Sequence, residues 1–188
     1  MKIILASQSP RRRELMEKIT ASFIVHAADT DETLPEGISP TEAVKLLAAK
    51  KAHEVFALPQ YAEDCVIGAD TVVECGGEIL GKPRDEADAA RMLHMFSGGT
   101  HMVHTGLAIL TPSGEEITSV TTEVDFYPLT QEEIAAYVAS GEPFDKAGSY
   151  GIQTSAALFV KGIRGDYYNV MGFPIATVYR MLRRGGAI

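Results

Sequence analysis

The stretch Ser7-Gln8-Ser9-Pro10-Arg11-Arg12-Arg13 gathers the groups from which an anion site is made. Serine followed by proline signals a helix start, where free backbone N–H groups and the positive end of the helix dipole converge. Arginine in that first turn opposes the dipole. A bound phosphate would relieve the conflict, since guanidinium donates bidentate bonds to phosphate oxygens. The same letters also describe a solvated basic face, and the segment alone leaves both readings open.

Asp70 is the second centre of interest. It stands inside an otherwise apolar run from Val66 to Val73, and carboxylates are rarely buried without a partner. There it can bind a divalent metal or take a proton from water. Equally, Gly68-Ala69-Asp70-Thr71 can be a kink between two strands. Lys82 follows closely enough to reach the same pocket as a point charge. The acidic loop Asp29-Thr30-Asp31-Glu32 can lend one oxygen to a metal held mainly elsewhere, or be solvated. Residues 144–153 join Asp145 and Lys146 to small residues, as both ligand-closing loops and plain surface loops do.

Other constellations fail on geometry. Gly76, Gly81 and Lys82 imitate a phosphate-binding P-loop, but Pro83 replaces the metal-binding hydroxyl and no helix follows directly. His101 and His104, three apart on a strand, face opposite sides. The acidic loop lacks EF-hand spacing, and neither Ser7 nor Ser9 has a histidine partner for covalent catalysis. Arginines, lysines and carboxylates without a nucleophile suit metal-assisted attack of water on a phosphate.

These residues need elements to hold them. Lys2 to Ala6 reads as a strand, leading to a helix capped by Ser9 with Leu15, Met16 and Ile19 inward. Phe23 to Val25 is a second short strand. Ser39-Pro40 opens a helix to about Phe56, with Ala43, Val44, Leu47, Ala48 and Val55 inward. Cys65 to Glu74 is the most β-rich run, turned back at Gly76-Gly77 into Ile79-Leu80. Asp85 caps a helix to Phe96, and residues 102–110 and 117–127 form a hairpin in which Val120, Val124 and Phe126 alternate with polar residues. Thr130 and Glu133 make a capping box for a helix over 131–140. A strand over 157–161 and a helix over 174–183 follow. Helices and strands alternate early around a central hairpin, which predicts an α/β fold with a mixed sheet.

Composition bounds the partners. Lysines and arginines number 17 against 25 acidic residues, a net charge of −8, which disfavours nucleic acid and anionic lipid but not a small anion in one focused pocket. The 188 residues make one domain, 1–188, the default. Two cysteines without Cys-x-x-Cys spacing indicate neither disulfide framework nor zinc. With no signal peptide and no membrane-spanning run, the expected compartment is the cytoplasm.

With these residues set out, the chain resembles the Maf family of nucleoside triphosphate pyrophosphatases nearly from end to end. The resemblance lies in LASQSPRRREL, DE at 31–32, LAAKKA, GADTVV, GKPRDEADAARML, SGGTHMVHTGLAI, FDKAGSYGIQ and GDYYNVMGFPI, in that order. It implies a Ham1-like (ITPase-like) α/β fold, two lobes around a cleft on a mixed central sheet, in a homodimer. The implied reaction splits a nucleoside triphosphate into monophosphate and pyrophosphate with Mg²⁺ or Mn²⁺. By position, Asp70 matches the proton acceptor, and Glu32, with Asp70, the metal or water ligands. Ser7, Arg11, Arg12, Lys51 and Lys82 match phosphate-contacting groups. Lys51 rather than Lys50 is the counterpart, because the family pattern is Leu-Ala-x-x-Lys-Ala. Arg11, Thr71 and Gln153 match positions marking the dTTP/UTP branch, and the Gln153 amide donates and accepts as a pyrimidine imide edge requires. Arg13 matches no fixed position. Two alternatives accompany this expectation: a pyrophosphatase for 7-methyl-GTP or other non-standard purine nucleotides, and a regulatory binding protein linked to septum formation.

Overall fold

Strand β1, Ile3–Ala6, is apolar at all four positions because both its faces are covered. A computed structural model describes residues 1–188. Helix α1, Pro10–Glu17, begins where Ser9 caps it, the Ser9 hydroxyl accepting from the Arg12 amide at 3.4 Å. Its inner face is Leu15 and Met16, with Ile19 falling beyond its end. Strand β2 is the two residues Ile24–Val25. Helix α2, Pro40–Phe56, is capped by Ser39 and buries the five predicted positions. Strand β3, Cys65–Cys75, turns through Gly76 and Gly77 into β4, Glu78–Leu80, and Asp85 caps α3, Glu86–Phe96. Strands β5, Thr100–Thr111, and β6, Gly114–Phe126, form the hairpin, and α4, Gln131–Ala139, carries the capping box of Thr130 and Glu133. Strand β7, Val160–Arg164, α5, Tyr167–Val170, and α6, Ile175–Arg184, complete the chain.

Three expectations change. The strand expected over 157–161 begins as a 3-10 turn, Ser155–Phe159, and the strand itself runs later. Ala156 and Phe159 are buried three residues apart while Leu158 is 82% exposed, a helical spacing that a period-two strand cannot give. Helix α5 was not anticipated, since four residues are too short for a periodic pattern. Nor does the chain kink at Asp70: β3 pairs with β5 without interruption from Val66 to Glu74.

The seven strands form one mixed sheet in the order β2-β1-β3-β5-β6-β7, with β4 beside the far half of β3. Only β1 pairs in parallel, with β2 and with β3. The near half of the sheet lies between α2 on one face and α1 with α6 on the other. Its far half packs against α3 and α4, in a separate apolar cluster built around Phe96, Phe126 and Ile134. Long strands β3 and β5 run through both halves, giving two lobes on a shared sheet. Between them β3 loses its neighbour: β1 pairs with it over Cys65–Gly68 and β4 over Val73–Cys75, leaving Ala69–Val72 without a strand on that side. Ligand crevices in open α/β sheets lie outside the carboxyl ends of parallel strands, and this gap opens at the end of β1.

Candidate active site

A cleft of about 1040 Å³ occupies the gap. Its walls include Ser7, Arg11 and Arg12 after β1, Glu32 on the acidic loop, Lys51 on α2, Asp70 and Thr71 on β3, Lys82 after β4, and Gln153. All nine residues singled out in the sequence therefore border one space.

At its centre, Lys51 Nζ donates to Asp70 Oδ1 at 2.6 Å and stands 2.7 Å from Glu32 Oε1. Asp70 and Lys51 are largely buried, whereas the Glu32 side chain is 63% exposed. The bond from Lys51, outweighing the effect of burial, holds the Glu32 carboxyl below its ordinary pKa. The reach of Lys51 depends on how closely α2 lies on the sheet. A Cβ on Gly68 would sit 2.1 Å from the Ala48 carbonyl oxygen, and one on Gly106 would sit 2.1 Å from that of Val44. Only glycine allows this backbone approach on adjacent strands. Lys50, its neighbour, points elsewhere and donates to the carbonyls of Asp31 and Thr33, holding the acidic loop.

Arg12 lies on the other side of β3. Its Nε donates to the Gly172 carbonyl at 2.9 Å and Nη1 to the Ala69 carbonyl at 2.9 Å; Nη1 also meets the Ser7 hydroxyl at 3.4 Å, and Nη2 meets Thr71 Oγ1 at 3.1 Å. Gly172 makes this possible with a φ of 91°, since a Cβ there would stand 3.0 Å from the Thr71 hydroxyl. Burial lowers the Arg12 pKa, and the nearby Asp70 charge works in the opposite direction. An arginine stays charged regardless. Arg12 offers a phosphate a fixed positive charge with few donors to spare.

Arg11 behaves differently. Its Nη1 donates to Asp145 Oδ2 at 2.6 Å and its Nη2 to the Asp145 carbonyl at 3.1 Å, joining α1 to the loop across the cleft. Asp145 also accepts from buried Lys146 at 2.6 Å. Burial would raise the Asp145 pKa, but the bonds from Lys146 and Arg11 outweigh it and hold the carboxyl below its usual range. Lys82 has no carboxylate within ion-pair distance and projects from an exposed position, and Gln153 is exposed at the same cleft. The loop that leads to Gln153 touches the residue before Lys82: the Gly148 amide donates to the Gly81 carbonyl at 3.0 Å. At Ser149, with φ 64°, a non-glycine residue is held in the left-handed region, fully buried and bonded to Met92 Sδ.

The discounted residues lie apart. His101 is buried against Phe96, its Nε2 2.7 Å from the Tyr150 hydroxyl, and His104 pairs with Thr121 on the opposite face of β5. Arg13 is exposed beside Glu17. Sequence reasoning missed the Arg11–Asp145 bridge and the Thr105 and Gly172 contacts behind Arg12. A threonine inside the apolar run of β5 was the one signal for Thr105.

The donors present fit a hard divalent cation. Asp70 and Glu32 are carboxylates that both border the cleft and both meet Lys51 Nζ, and no protein donor meets Asp70 Oδ2. Mg²⁺ characteristically takes one or two carboxylates and completes its shell with substrate phosphates and water. No cluster of three metal-binding side chains gathers anywhere in the chain.

Comparison with known proteins sharpens the picture. The family profile described as "Maf-like protein" matches residues 2–185. A dTTP/UTP pyrophosphatase of Geobacillus sp. (strain WCH70) is 51% identical over 184 residues, covering 98% of each chain. A dTTP/UTP pyrophosphatase of Koribacter versatilis (strain Ellin345) is 49% identical over 188 residues, covering all of this chain and 96% of its own. Among solved structures, the Staphylococcus aureus Ham1 protein matches with a TM-score of 0.55 over 98% of this chain and 100% of its own, at 16% identity. That likeness concerns the fold alone.

Proposed function

The chain belongs to the Maf family, and from that premise we propose that it is a nucleoside triphosphate pyrophosphatase acting on dTTP and UTP. The products are the nucleoside monophosphate and pyrophosphate. The observation that carries the reaction class is a buried carboxylate, Asp70, held by the Lys51 ammonium in a cleft that Arg11, Arg12 and Lys82 also border. The pyrimidine preference follows relatives of about the same length at 51% and 49% identity.

In this reading the triphosphate lies along the gap in the sheet, its charge met by Arg11, Arg12, Lys51, Lys82 and the Ser7 hydroxyl. Lys51 fixes Oδ1 of Asp70 and leaves Oδ2 facing the cleft, where it takes a proton from water as the oxygen attacks the α-phosphorus. The α–β bridging oxygen leaves with pyrophosphate, its developing charge met by the cations of the cleft. Asp70 and Glu32 would hold a Mg²⁺ or Mn²⁺ ion, which when bound would supply further charge neutralisation and ease deprotonation of water. Arg11, Thr71 and Gln153 set the base preference, Gln153 by pairing its amide with the imide edge of thymine or uracil. The reading further takes residues 1–188 as one domain, the assembly as a homodimer and the compartment as the cytoplasm. No helix is long and apolar enough to cross a membrane.

Pyrophosphate release from dTTP, UTP, 7-methyl-GTP and ITP, each with Mg²⁺ or Mn²⁺, tests the proposal. Turnover is expected for dTTP and UTP above the two purine nucleotides. Faster release from either purine nucleotide overturns the pyrimidine assignment, and silence with all four overturns the enzymatic reading in favour of a regulatory binding protein.

A further inference from the structure

Behind Arg12 runs a chain of buried hydroxyls whose direction is fixed. Thr105 is fully buried on β5, and its hydroxyl meets the Asn169 carbonyl at 3.1 Å. A carbonyl only accepts, so the one proton of Thr105 goes there. The hydroxyls of Thr71 and Thr105 are 3.0 Å apart. With the Thr105 proton committed, Thr71 must donate to Thr105. Thr71 Oγ1 then has only lone pairs to offer, and Arg12 Nη2 donates to it at 3.1 Å. The far end is anchored too. Asn169 is fully buried, and its Nδ2 donates to the Val103 carbonyl and to Thr122 Oγ1, both at 3.0 Å.

We infer that Thr105 is a positioning residue for substrate binding: it orients the Thr71 hydroxyl so that Thr71 can only accept from Arg12. Such a chain polarises each link in turn and is strongest when every member is satisfied. Thr71 has no hydroxyl proton left to give a substrate, since its only one goes to Thr105, so its part in base preference also runs through the placement of Arg12. Neither threonine touches the reacting atoms. Their effect falls on binding, because Arg12 presents charge to the triphosphate in the ground state and the transition state alike.

This inference rests on the reading of Arg12 as a triphosphate contact, and the experiment separates the two. Thr105→Val keeps the shape of the side chain and removes the link. It is expected to raise KM for dTTP by about tenfold while kcat changes by less than about twofold. Thr105→Ser restores the hydroxyl and should return KM close to the wild-type value. Thr71→Val should raise KM similarly, and the Thr71→Val, Thr105→Val double variant should cost no more than either single change, because both cut the same chain. Thermal unfolding identifies folded variants; if Thr105→Val does not fold, the partly exposed Thr71→Val carries the KM test. Arg12→Lys serves as the reference. A raised KM for Arg12→Lys with an unchanged KM for folded Thr105→Val or Thr71→Val overturns the positioning role and leaves the Arg12 reading intact. An unchanged KM for Arg12→Lys overturns both.

Discussion

Asp70 and Lys51 show how much of the chemistry sits in single side chains. Lys51 has two carboxylate partners, so replacing Asp70 leaves the ammonium paired with Glu32 and does not strand a buried charge. Asp70→Asn should therefore fold, and should bind nucleotide at close to the wild-type affinity. Its turnover should fall by at least about a hundredfold, the usual contribution of a positioned base. Steady-state pyrophosphate release paired with titration calorimetry checks this, and near-wild-type turnover would remove Asp70 from the base role. The chemical identity of such residues was legible in the sequence because each is a costly choice where it stands. A carboxylate in an apolar run and arginines at a positive helix end both ask for a partner. The partners themselves were not legible. Arg11 meets Asp145 across 134 positions of chain and Arg12 meets Gly172 across 160, contacts no local pattern encodes.

At the scale of elements, the closeness of α2 to the sheet decides whether Lys51 reaches Asp70. Gly68→Ala would place a methyl group 2.1 Å from the Ala48 carbonyl oxygen and 2.9 Å from the Ala52 Cβ. Helix α2 must then lift from β3, carrying Lys51 with it. We expect a loss of about 3 kcal/mol in stability, from overpacking, and lower turnover in whatever remains folded. Urea unfolding with parallel assays measures both, and a variant as stable and active as the wild type would show that the approach is not needed. Caps and prolines placed most helix starts correctly, since they act within four residues of chain. The strand expected over 157–161 failed where a helical turn used the same apolar letters, and short apolar runs do not distinguish the two by composition.

The whole molecule carries a pH dependence set in its far lobe. His101 is buried among Phe96, Phe126 and Tyr150, and burial pushes its pKa from 6.5 down to about 3, against a small opposing pull from Asp125. Below about pH 6.5 the unfolded chain takes up a proton that the folded one refuses, so stability falls as pH drops from there toward 3. The limiting slope is about 1.4 kcal/mol per pH unit for this one group. His104, also lowered by burial, acts in the same direction. Urea midpoints between pH 7 and 5 should therefore decline, and His101→Phe should flatten that decline whatever it does to stability at neutral pH. An unchanged slope in the variant would exclude His101 as its source. The gap in the sheet has a consequence of its own. An unpaired strand edge is an invitation to another chain, and natural sheets defend such edges with charge or cover. Along Ala69–Val72 the defence is Arg12, which occupies the Ala69 carbonyl where a foreign strand would bond. On the proposed reading, the residue that presents charge to a nucleotide is the same one that occupies the bond a foreign strand would need.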